Sequence, residues 1–140
     1  MISLHISKWL EQEGFGTLDT DIFWEDVPLD SNGEPKEGVW VVTRGSAENR
    51  NVNLQQFDIY SRYANKLTGS RKLENILQRI KAAYGDTCEL PTVPPYSLTE
   101  YYNVVFNPIS GIESVGVDEQ EKVVRVISGT IQYQIRNEES

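Results

Sequence analysis

The 140-residue sequence predicts an α+β fold: a mostly antiparallel β-sheet with two main helices packed on one face, in a single domain spanning 1–140. Three observations carry that expectation. Two segments place apolar residues at helical spacing. Several others are β-branched and aromatic or alternate with period two. The links between many of the strands are of hairpin length, which favours antiparallel neighbours.

The first helix is expected over about Ser3–Glu13, where Ile2, Ile6, Trp9 and Leu10 share a face and Gly14 stands where a helix stops. Ile22-Phe23-Trp24 is a short apolar stretch flanked by acids. Pro28, Asp30, Ser31, Asn32 and Gly33 mark a loop or hairpin turn. Gly38–Thr43 has the composition of a buried strand. Val52–Tyr63 alternates, with Phe57 and Ile59 facing one way and Asp58, Tyr60 and Arg62 the other, as a half-buried strand would. Ser70 is the expected N-cap of the second helix. Its stripe is Leu73, Ile76, Leu77, Ile80 and Ala83, and Gly85 closes it. Pro91, Pro94 and Pro95 make the next stretch extended and loop-like. Tyr101–Ile109 reads as a strand. Ile112–Val117 and Val123–Ile135 read as a last hairpin around Asp118-Glu119-Gln120-Glu121-Lys122.

Composition narrows the function classes. No run of about 18 apolar residues is present to span a membrane, and the first residues lack the pattern of a signal peptide. The lone Cys88 permits no internal disulfide, which suits folding in a reducing cytoplasm. The net charge of −8 argues against a general nucleic-acid binder. It is unevenly distributed: residues 1–38 carry −7, residues 39–84 carry +5 and residues 85–140 carry −6. Opposite-signed patches of this kind suit copies or partners that dock in a fixed order.

Catalytic chemistry finds little to stand on, and neither a cofactor nor a metal site is expected. The single histidine, His5, lies on the first helix and is expected to be a surface or packing residue. Cys88 has no partner nearby in sequence. Two groups of carboxylates, Asp19, Asp21, Glu25 and Asp26 and then Asp118, Glu119 and Glu121, sit in loop or turn contexts where acids are usually solvated. Asp30-Ser31-Asn32-Gly33 lacks the ligand positions of a calcium loop. Gly14-Phe15-Gly16 follows a helix rather than a strand and cannot cradle phosphate.

Contact residues are better represented. Tyr60 and Tyr63 surround Arg62, placing the three on or near an exposed strand face, and Tyr and Arg carry much of the energy at protein interfaces. Arg44 and Arg50 lie in the loop after the Gly38 strand, opposite in sign to Asp118, Glu119 and Glu121 at the last hairpin tip. These eight residues are the candidate interface.

Gly38-Val39-Trp40-Val41-Val42, Gln56 to Tyr63, the Leu73-to-Tyr84 helix, Cys88-Glu89-Leu90-Pro91, Phe106-Asn107-Pro108-Ile109 and Ile112 to Asp118 follow one another in order. Over roughly residues 8–135 this succession resembles the phage minor capsid protein family of long-tailed bacteriophages, similar to tail terminators. The resemblance implies a subunit with a sheet and packed helices. Six copies would form a ring that caps the head-proximal end of the tail tube, stops its polymerisation and joins tail to head. It implies a virion protein assembled in the host cytoplasm, with itself, the tail-tube protein and a head-completion or connector protein as partners. No catalytic residue carries over. DNA would pass through the lumen without sequence-specific binding, and an acidic ring suits that passage. The alternatives are a head-completion or stopper protein on the portal, a monomeric adaptor for a host protein, and a small carboxylate-based hydrolase.

Overall fold

The computed structural model describes residues 2–48, 53–83, 85–108 and 110–136, and of 45–48 the backbone alone. Arg50, and the expected element limits at Val52, Tyr84 and Ile109, lie outside the described residues.

Helix α1 (Ile2–Gln12) is amphipathic in sequence but enclosed in the fold. Ile2, Ile6, Trp9 and Leu10 are buried as expected, and so are Ser3, Leu4, His5 and Ser7. The small hydroxyl residues make this enclosure possible. Ser7 Oγ lies 2.9 Å from the Ser3 carbonyl and 3.1 Å from that of Phe23, so its hydroxyl is satisfied inside the core.

The strands are β1 (Ile22–Trp24), β2 (Gly38–Glu48), β3 (Asn53–Tyr63), β4 (Cys88–Leu90), β5 (Glu100–Pro108), β6 (Glu113–Val117) and β7 (Val123–Arg136). They form one sheet in the order β1-β2-β3-β7-β5-β4. The long β7 pairs with β3 along one edge; along the other it pairs first with β6 and then with β5. All pairings are antiparallel except β1 with β2. The loop between those two is long enough for a parallel return, and the expected turn is a small excursion within it, closed by Asp30 Oδ1 accepting from the N–H groups of Asn32 and Glu34. Strand β4 lies in a stretch the prolines had marked as loop; its three residues are too few to show a period.

Helix α2 (Lys66–Ala82) begins earlier than the sequence predicts. Its N-cap is Asn65, whose side chain accepts from the N–H groups of Leu67 and Thr68. Gly69 therefore lies inside the helix rather than ahead of it. It sits on the buried side of the first turn, where a Cβ would come within 3.0 Å of Ser61 Oγ, and its absence lets α2 approach β3 closely. Leu73, Ile76, Leu77 and Ile80 are buried as expected.

Both helices cover the same face of the sheet. α2 lies over β3, β7 and β5, while α1 touches β1 and β2 at one edge and β4 at the other, so the sheet curls around them. Between the layers Trp9, Phe57 and Phe106 form an aromatic centre, with Trp9 4.9 Å and Phe57 5.9 Å from the Phe106 ring. Gly129 makes room for it: a Cβ there would lie 2.8 Å from the Phe57 ring and 2.7 Å from the Asn107 carbonyl.

Candidate functional site

The face of the sheet turned away from the helices carries most of the expected contact residues. Strand alternation puts Asp58, Tyr60 and Arg62 there, as predicted. The expectation that Arg62 lies near an exposed face is overturned: Arg62 is only 3% and Asp58 1% exposed. Loops distant in sequence fold over the Arg62 end of β3, and Arg44 and Ser128 on the neighbouring strands enclose Asp58.

Arg62 is the clamp for those loops. Its Nε donates to Asp118 Oδ2, one terminal nitrogen donates to the Pro35 carbonyl and the other to Gln120 Oε1. One guanidinium thus ties the β1–β2 loop and the β6–β7 tip to the sheet, using the planar fork that suits arginine to several acceptors at once. Partial burial pushes the Asp118 carboxyl up. The N–H of Lys122, the Arg62 guanidinium and the N–H of Gln120 outweigh that, and its pKa falls below the usual aspartate value. The basic middle of the chain and the acidic hairpin tip thus meet within one chain, through Arg62 rather than Arg44.

Arg44 has its own partner. Its Nε lies 2.7 Å from Asp58 Oδ2 and a terminal nitrogen 3.0 Å from Oδ1, while Ser128 Oγ donates to Asp58 at 2.6 Å. Cross-strand register explains the meeting, since Ser128 stands opposite Asp58 on the neighbouring strand. Tyr60 stacks on Trp40, its cross-strand neighbour, with ring centroids 5.0 Å apart. Tyr63 packs at the margin of the core rather than outward. Burial first, then Asp21 and Glu37, pushes its phenol up to about 12. Of the three acids in the candidate interface, Glu119 and Glu121 stand exposed with no ion pair among the described residues.

The groups considered for chemistry are also placed. Among the described residues no three His, Cys, Asp or Glu side chains cluster as a metal site would need. Asp21 accepts from the Thr17 N–H and Glu25 from the Thr43 hydroxyl, both holding local structure. The Cys88 thiol is half-buried, and that burial pushes its pKa up, away from thiolate reactivity. A surface pocket beside β4 is crossed by the Arg136–Glu100 pair, with Arg136 also 4.7 Å from the Tyr102 ring.

His5 is the most organised of these groups and the one whose surroundings the sequence could not supply. It is fully buried, edge-on to Tyr101, with Nδ1 2.8 Å from the Pro91 carbonyl and Nε2 2.7 Å from Ser97 Oγ. The carbonyl can only accept, so Nδ1 bears the proton and Ser97 donates to Nε2. Burial lowers the His5 pKa below its usual 6.5, opposed in part by the Pro91 bond. The folded state therefore holds fewer protons than the unfolded chain, and stability is lost as pH falls from about 6.5 toward the lowered native value. Thermal melts between pH 7 and 5.5 should show a falling midpoint in the wild type and a flatter profile in His5→Gln. Equal slopes would mean that another group sets the dependence.

Compared with known proteins, the chain matches no family model and none of the curated proteins.

Proposed function

We propose that the chain is a structural subunit of a phage virion, a tail terminator that forms a ring on the head-proximal end of the tail tube, stops polymerisation and joins tail to head. The observation that carries this reading is where the polar side chains are committed. On the outer sheet face, Arg44, Asp58, Arg62 and Asp118 brace strands and loops against one another instead of converging on an open cleft. That is the construction of a rigid part. The sheet with two helices on one face also agrees with the subunit the family resemblance implies. The acidic balance suits a lumen that passes DNA without gripping it.

Mixing the purified chain with tail-tube protein tests the reading. Electron microscopy should show rings or capped tube ends, and tubes should stop growing. A chain that associates neither with itself nor with tube ends would overturn it. Capture by portal protein in place of tube protein would point to a head-completion role, and capture by neither but by a host protein to an adaptor.

One observation favours a second reading. Ser97, His5 and the Pro91 carbonyl follow the hydrogen-bond order of nucleophile, base and orienting group. Ser97 is buried, however, so a substrate has no direct approach to its oxygen. Covalent labelling of Ser97 by a fluorophosphonate probe would favour a hydrolase over the structural role.

A further inference from the structure

We infer that copies of this chain join head to tail, the acidic β6–β7 hairpin of one copy seated on the basic outer face of α2 in the next. This rests on the ring reading above and assigns its contact surfaces.

The hairpin is the most exposed strand structure in the fold. All five residues of β6 are exposed, including Val115 at 57% and Val117 at 65%. Glu113, Glu119 and Glu121 flank these valines in sequence, are exposed, and have no ion pair among the described residues. The ladder to β7 shifts register between Ser114 and Gly116, leaving Val115 at a bulge. A bulge spoils an edge for strand addition, so the contact is made by side chains: two exposed valines on a hairpin that also carries three exposed carboxylates.

The complementary surface lies on α2. Leu67, Arg71, Glu74, Gln78 and Lys81 recur at spacings of three and four residues and form one exposed stripe beside Lys66. Lys66, Arg71 and Lys81 are unpaired among the described residues, whereas Lys72 and Arg79 are held by Asp21 and Glu13. Leu67, 55% exposed, offers apolar surface for the valines. With one acid among four charges the patch is positive, and the hairpin is negative.

The signs also select which surfaces meet. Hairpin against hairpin would oppose carboxylates, and helix against helix would oppose cations. Opposite signs meet only where the hairpin of one copy faces the helix of another. Made in one direction around the assembly, that heterologous contact closes into a ring when its rotation permits, whereas a two-fold pair making it twice would sediment as a closed dimer.

The test uses two full-length variants, Glu113→Lys/Glu119→Lys/Glu121→Lys and Lys66→Glu/Arg71→Glu/Lys81→Glu, studied by sedimentation at low salt and by binding to tube ends. Each variant alone should associate at least about tenfold more weakly than wild type. An equimolar mixture should regain association, because each reversed surface then meets its complement, a rescue that misfolding would not give. Wild-type rings with both variants unimpaired would overturn these surfaces and leave the ring reading standing. Variants that weaken alone but are not rescued by mixing would overturn the complementarity. A wild type that associates neither with itself nor with tube ends would remove both.

Discussion

Phe106→Ala should lower the unfolding free energy by about 3–5 kcal/mol, the range for deleting a buried aromatic ring. The site offers little room to collapse. Phe106 is fully buried on β5 and is held between Trp9 of α1 and Phe57 of β3. Phe57 is itself fixed over Gly129, and Trp9 carries the Arg79 guanidinium 5.3 Å above its ring. Rings restrained on several sides cannot fill the space a lost ring leaves, so the cavity penalty adds to the lost burial. For a domain of this size the melting temperature should fall by roughly 10–15 °C. Phe106→Leu keeps much of the volume and should cost less than half as much. Urea unfolding of both variants checks this. Equal and small losses would mean that the aromatic centre does not hold the two layers together.

Periodicity made much of this fold legible. The alternation around Phe57 and Ile59 and the stripe from Leu73 to Ile80 each report a face, and a face is what a two-layer fold buries. Three things were not legible for particular reasons. Asn65 and Ser70 are both good N-caps, and only the packing of Gly69 against Ser61 shows that the helix is already under way there. The burial of Arg62 depends on Pro35 and Asp118, which lie far away in sequence, and a charged residue in an alternating strand reads as solvated until its cover is known. The environment of His5 comes from Pro91 and Ser97, in a segment whose prolines hide its geometry from any periodic signal. Of the candidate contact residues, the acids at the last hairpin tip were the more readable. Turn acids project by default, and Glu119 and Glu121 do so here, although Asp118 turns inward to the clamp.

Arg62→Met should cost about 2–4 kcal/mol at neutral pH. Removing one member of a fully buried ion pair costs about 3–5 kcal/mol, because the other charge is stranded. Here the stranded partner is less exposed to that penalty: the Asp118 side chain keeps 26% of its surface and its bonds from the Gln120 and Lys122 N–H groups. The loss is therefore moderated on that side, while the bonds to Pro35 and Gln120 are lost outright. The pH dependence has a definite sign. The Asp118 carboxyl lies below its unfolded value of 3.8, so its contribution is complete above that pH and is lost as pH falls through the native value. Arg62→Met should flatten this acid limb, and urea titrations at pH 7 and pH 3 would show the gap between variant and wild type closing. A loss under 0.5 kcal/mol at pH 7, roughly the size of an ordinary surface change, would mean the clamp is idle. The same substitution also bears on assembly. Arg62 is buried, and it fixes the hairpin tip from which Glu119 and Glu121 project. Releasing that tip adds an ordering cost to any contact it makes. Arg62→Met should thus weaken head-to-tail association while leaving both charged surfaces intact, and raising the pH would not restore it.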